Sequence, residues 1–124
     1  MRNDNLNNLL ALAKKDKEIV AVLLFGSHAR GYARPTSDID VCLILGHEKD
    51  SFRKRLEYST VGNNIDVQIF QALPMYIKIR VLREGKILFC KDEDFLYKIA
   101  IETIKDFEQY KKAYATYLDK VAHG

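Results

Sequence analysis

The chain has 124 residues, 48% hydrophobic and 30% charged, with a formal net charge of +3. That length supports one domain, residues 1–124, with a modest core. The charge is too small and too scattered to hold duplex nucleic acid by bulk electrostatics, and the longest apolar run, residues 19–25, is far too short to cross a membrane.

Residues 5–16 place Leu6, Leu9, Leu10 and Ala13 at helical spacing. The opening stretch MRNDNLNNLLALAKKDKE has no uninterrupted apolar segment, so it predicts no signal peptide, and the expected setting is the cytoplasm. IVAVLLF, residues 19–25, is rich in branched side chains and predicts a buried strand. Gly26-Ser27 breaks it, and Ser27 is placed to cap a short helix over His28, Ala29 and Arg30. Gly31 ends that turn, and residues 34–37 form a loop. Residues 38–45 predict a second strand. FRKRLEYS predicts a helix capped by Asp50 or Ser51, with its basic run Arg53-Lys54-Arg55 on a solvated face. Gly62-Asn63-Asn64 is a turn signal before a third strand, IDVQIF, at 65–70. Pro74 opens a helix to about Arg83, and Glu84-Gly85 closes it. KILFC, 86–90, predicts an edge strand, so the core spans 19–90.

Asp92 caps a last helix reaching about residue 120. Leu96, Ala100, Ile104, Phe107, Tyr110, Tyr114 and Tyr117 recur along it every three or four residues. At 1.5 Å per residue it is roughly 40 Å long, against a diameter of about 35 Å for a compact chain of this size. Its far end is therefore expected to overhang. Tyr97, Tyr110, Tyr114 and Tyr117 either cap the core or form a surface for a homo- or hetero-oligomer. Cys42 and Cys90 lie inside strand-like runs without metal spacing and predict small buried hydrophobes. His47 and His123 have no partners at ligand spacing, and His28 is expected on the surface.

The chemistry concentrates in FGSHARGYARPTSDIDVCLIL, residues 25–45. Asp38 and Asp40, two apart on a strand, project from one face, with Val41, Leu43 and Leu45 on the other. Such acids repel unless a cation joins them. An isolated Asp-x-Asp is often only a pair of exposed acids, but a third carboxylate, Asp66, holds the second position of its own strand. If the two strands are neighbours, the three carboxylates converge as a site for hard divalent cations, most plausibly two Mg2+ ions. Gly26 lets backbone approach a ligand closely. Ser27, at a helix start, offers N–H groups and a hydroxyl to a phosphate. Arg30 and Arg34 neutralise further phosphate oxygens. The pattern reads as a triphosphate held by the basic segment, with metals held by the acids.

GSHARGYARPTSDID resembles the Gly-Ser-x10-Asp-x-Asp signature of the DNA polymerase beta-like nucleotidyltransferases, and the short chain is similar to their minimal (MNT) members. The resemblance spans about residues 19–90. It implies an α/β (α+β) fold, a small mixed sheet with helices packed mainly on one face and a long C-terminal helix. It implies that Gly26 and Ser27 contact nucleotide phosphates, that Asp38 and Asp40 ligate both metals, and that Asp66 binds the catalytic metal and helps deprotonate the acceptor. It further implies an antitoxin paired with a HEPN toxin, transferring AMP from ATP to a toxin tyrosine. The alternatives are an antitoxin acting by binding alone, or nucleotidyl transfer to a small molecule such as an antibiotic.

Overall fold

The computed structural model describes residues 4–26, 29, 31, 38–47 and 50–123. Helix α1 (Asp4–Lys15) leads into β1 (Ile19–Phe25), the strand that the apolar run predicts. Strand β2 (Ile39–Leu45) follows, then α2 (Ser51–Ser59), β3 (Ile65–Ile69) and a 3-10 turn (Phe70–Ala72). Helix α3 (Met75–Glu84), β4 (Lys86–Cys90) and α4 (Glu93–His123) complete the chain.

The four strands lie in the order β3-β2-β1-β4. Strand β1 runs antiparallel to both neighbours, and β3 runs parallel to β2. A parallel pair cannot be joined by a tight hairpin, and α2 supplies the crossover.

The mixed sheet and long last helix match the expected fold class; the arrangement of the helices is a correction. Helices were expected mainly on one face, but two pack on each. Leu9 and Ala13 of α1 and Tyr58 of α2 cluster with Val22, Val41 and Leu43 on one side. Val81 of α3 and Leu96 of α4 cluster with Ala21, Leu23, Cys42 and Ile44 on the other. The reason lies in the strands. Residues 19–25 and 41–45 are apolar at every position, so both faces need cover. Each fully buried Leu or Ile side chain contributes roughly 1.5–3 kcal/mol, which an uncovered face would forfeit.

Two ends of the sheet can now be distinguished. Phe25 of β1, Asp40 of β2 and Asp66 of β3 are aligned at one end. Ile19 pairs with Leu45 at the other, where the Gly46 N–H donates to the Glu18 carbonyl at 2.9 Å. Outside β3, the Arg55 Nε of α2 donates to the Val67 carbonyl at 3.0 Å.

Lys54 is a second correction. The basic run was expected on a solvated face, yet Lys54 is only 5% exposed. Its Nζ donates to Asp16 Oδ2 at 2.5 Å and lies 2.9 Å from Glu18 Oε2. Tyr58, also buried, donates its hydroxyl to the same Asp16 oxygen at 2.8 Å. Burial alone would raise the Asp16 pKa. The hydrogen bonds from Lys54, Tyr58 and the Glu18 N–H outweigh it and hold the carboxyl below its ordinary value. Burial would lower the Lys54 pKa, but its bonds to Asp16 and Glu18 raise it.

At the start of α2, Asp50 adopts φ 63° and its side chain makes no cap; its carbonyl accepts from the Lys54 N–H at 2.9 Å. Asp92 does cap α4, its Oδ1 accepting from the Phe95 N–H at 3.0 Å. Cys42 is buried as expected, and burial pushes its thiol pKa far up; Cys90 is half-buried. No described helix is long and apolar enough to cross a membrane.

Candidate active site

The carboxylate end of the sheet is built by register. Asp40 is the second residue of β2 and Asp66 the second of β3, and the parallel pairing sets them side by side. Neighbouring strands lie about 4.8 Å apart, so the two carboxylates stand within reach of one ion. Asp40 is half-buried; Asp66 and Asp38, just ahead of β2, are exposed. Alternation puts Asp40 on the same face as Cys42 and Ile44, the face covered by α3 and α4.

Gly26 follows β1, one position beyond the partner of Asp40. Its φ is +74°, and a Cβ there would run into the Asp40 carboxylate at Oδ2. Both facts demand glycine, one by backbone conformation and one by space. The end of β1 is thereby pressed onto the carboxylate of β2, a contact that ties Gly26 to Asp40.

Gln68, two residues beyond Asp66 on the same face, donates from Nε2 to Asp66 Oδ1 at 3.2 Å. Sequence reasoning passed over it, although the period of two would have found it. Beside Gly26 a cleft of about 220 Å³ opens between β1 and α3, lined by Phe25, Gly26, Ile77, Arg80, Val81 and Glu84. Arg80 stands at its wall, 4.0 Å from Glu84 Oε2.

Of the expected site residues, the fold aligns Asp40 with Asp66 and packs Gly26 on Asp40, with Asp38 two residues ahead. Ser27, Arg30 and Arg34 lie outside the described residues, as does His28. Among the described residues no three acidic, histidine or cysteine side chains are drawn together as a closed metal-holding group. Asp38 and Asp66 have no described lysine or arginine within ion-pair distance. The donor set is nonetheless what a hard divalent cation takes: carboxylate oxygens only, on adjacent strand ends, opening to solvent.

A family model described as polymerase beta, nucleotidyltransferase, matches residues 7–94. The chain belongs to the polymerase beta nucleotidyltransferase family. Curated relatives agree. The chain is 35% identical over 72 residues to "Putative protein adenylyltransferase MJ1547" of Methanocaldococcus jannaschii, a match covering 58% of this chain and 57% of the relative. It is 35% identical over 66 residues to MJ0435 of the same organism, which carries the same description, covering 50% and 71%. The first match thus spans little more than half of that relative's length.

Solved structures extend the likeness over nearly the whole nucleotidyltransferase chain. A toxin–antitoxin structure with AMP-PNP superimposes with a TM-score of 0.70 at 17% identity, covering 98% of this chain and 99% of that one. A chain from the complex of tri-AMPylated Shewanella oneidensis HEPN toxin with MNT antitoxin gives 0.67 at 17% identity, covering 95% and 96%. At such identities the likeness establishes the fold, including the long C-terminal helix.

Proposed function

We propose that this nucleotidyltransferase is an antitoxin that transfers AMP from ATP to a tyrosine hydroxyl of a HEPN-family toxin and so neutralises it. The observation that carries the reading is the junction of Gly26, Asp40 and Asp66 at one sheet end. It sets Gly26, the glycine expected to meet nucleotide phosphates, against carboxylates expected to hold metal. The adenylyltransferase relatives and the AMPylated toxin in the Shewanella complex support the same acceptor class.

Asp38, Asp40 and Asp66 would hold two Mg2+ ions. Bound there, the ions would neutralise the triphosphate and stabilise attacking and leaving oxygens of an in-line displacement. The chain's own residues do the rest. The Gly26 backbone, free of a side chain, admits the triphosphate to the Asp40 carboxylate. Ser27, Arg30 and Arg34 donate to phosphate oxygens. Asp66, exposed at the strand mouth, accepts the proton from the acceptor hydroxyl as its oxygen bonds the α-phosphorus. Pyrophosphate leaves. Catalysis on this scheme is positioning and charge neutralisation.

The exposed aromatic face of α4 favours a second reading, neutralisation by contact alone. The two are separated by incubating the protein with Mg2+, a HEPN partner and ATP labelled at either the α or the γ phosphate. Label on the partner from the α position alone is the expected result. No label on a partner that still co-purifies would replace transfer with contact.

A further inference from the structure

Helix α3 returns towards the carboxylate end of the sheet. Gly85, just past its end, stands so close to β1 that a Cβ there would meet the Leu24 carbonyl at 3.3 Å, and the next residue, Lys86, pairs with Leu24. Ile77, Arg80, Val81 and Glu84 follow at steps of three, one and three, so they share one helix face. That face and the end of β1 enclose the cleft beside Gly26. At about 220 Å³ it is smaller than the roughly 300–1,000 Å³ of sites that enclose a whole ligand. It takes one part of a nucleotide and leaves the rest outside. Phe25, Ile77 and Val81 give it apolar walls, and its two charged groups are opposite in sign, Arg80 Nη2 lying 4.0 Å from Glu84 Oε2. Glu84 is the last residue of α3. A carboxylate there faces the negative end of the helix dipole, so the fold alone does not favour it.

We infer that this cleft holds the base of the donor nucleotide, and that Arg80 and Glu84 select a purine with an exocyclic amino group, as adenine carries. The assignment rests on the nucleotidyl-transfer reading for the place of the phosphates. In an in-line displacement the incoming oxygen and the leaving pyrophosphate stand on opposite sides of the α-phosphorus. The acceptor then belongs beside Asp66 on β3, two strands and about 10 Å from β1. The pyrophosphate belongs with Gly26 and Ser27. Neither suits the cleft. An acceptor side chain seated there would have to cross β2 to reach Asp66. A pyrophosphate would meet apolar walls and the like charge of Glu84. The nucleoside is what remains, and Gly26, bare of a side chain, lets it turn from the phosphates into the cleft. A flat neutral ring matches what the cleft offers. Phe25, Ile77 and Val81 cover it, and the planar Arg80 guanidinium can stack on its face. Glu84, an acceptor only, takes a hydrogen bond from an amino group at the ring's edge. A carbonyl at that edge would face the carboxylate with like partial charge. Arg80 beside it offsets the charge that the carboxylate brings into the cleft.

The test is calorimetric titration of the full chain, in Mg2+, with three probes: ATP, the triphosphate of purine riboside, which lacks the amino group, and tripolyphosphate, which lacks the nucleoside. The wild-type chain should bind ATP about tenfold more tightly than the purine riboside triphosphate, the scale of one hydrogen bond to a charged group. Glu84→Ala should erase that preference. Glu84→Ala with Arg80→Ala, which leaves the net charge as it was, should weaken both nucleotides further and leave tripolyphosphate binding unchanged, with an unaltered circular dichroism spectrum. ATP binding indifferent to both variants overturns the inference, as does a loss of tripolyphosphate binding equal to the loss of ATP binding. Titration needs no partner, so the base site is judged apart from transfer. Amino-selective binding through Glu84, with no label passed to a HEPN partner, upholds the base site and overturns the proposed function. Label passed by the double variant at the wild-type KM for ATP does the reverse. A chain that binds no nucleotide overturns both.

Discussion

At the end of the sheet where β1 begins, Asp16 and Glu18 meet Lys54, and Tyr58 completes the group under cover of α2. At the end where β2 begins, Asp40 and Asp66 are aligned, with Asp38 two residues ahead, and Asp38 and Asp66 are exposed. The first cluster matches acid with base inside the molecule and ties the turn after α1 to α2. Lys91 joins it by donating to the Asp16 carbonyl at 2.6 Å, which fastens the start of α4 as well. The second leaves Asp38 and Asp66 without a described basic partner. Charge settled from within stabilises a fold; charge left to be settled from without binds something. The contrast is testable because each end should fail in its own currency.

The largest effect on stability is expected from Lys54→Met. It leaves the half-buried Asp16 carboxylate without its cation, which costs about 1–3 kcal/mol. The melting temperature should fall by about 5–10 °C in thermal unfolding, with transfer activity per folded molecule unchanged. Next, Asp40→Asn should reduce transfer on the order of 10²–10³-fold, the scale for losing one preorganised electrostatic group, with thermal stability intact. If Asp40→Asn unfolds the chain instead, the comparison collapses. Gly26→Ala should lower transfer by about 10²-fold by displacing the Asp40 carboxylate, and should also cost about 1–2 kcal/mol for the left-handed backbone. It is the one change expected to register at both readouts.

The two ends should also separate by pH. The Asp16 pKa is lower in the folded chain than its ordinary value of 3.8. The group therefore contributes its full stability above about pH 4 and loses it as pH falls through the lower, folded value. Melting temperature should drop with acidification in that window, and Asp16→Asn should flatten the drop while lowering the plateau. The smallest effect belongs to Gln68→Ala. Loss of one exposed hydrogen bond to Asp66, worth about 1 kcal/mol at most, should weaken transfer up to about fivefold. The shift should appear in the Mg2+ concentration required rather than in stability.

Much of this contrast was legible in the sequence, and the illegible part has a common cause. The run at 19–25 marked β1 at its observed bounds because seven consecutive apolar residues leave little else to be. The sequence put Asp66 second in its strand and Asp40 third in a strand read as 38–45; β2 begins one residue later, at Ile39, and that start is what brings the two acids into register. The same apolar runs also implied cover on both sheet faces, an implication the family resemblance obscured. Lys54 could not be read. Its partner Asp16 lies 38 residues earlier, and within Arg53-Lys54-Arg55 nothing marks the middle residue as buried. Nor could the packing of Gly26 on Asp40 be read, because it depends on which residue of β1 faces which residue of β2. Local pattern carries strands and helices; contacts across the sheet belong to the register.

The bond from Arg55 to the Val67 carbonyl bears on how this sheet behaves in a crowded solution. A sheet grows by adding strands at its rims, and a rim whose outward carbonyl is already taken is a poor template. The β3 rim is blunted in this way, while β4 forms the opposite rim. Two molecules meeting rim to rim through β4 would each then present only the blunted side. Such an encounter ends at two, and the first step towards a fibre has no second.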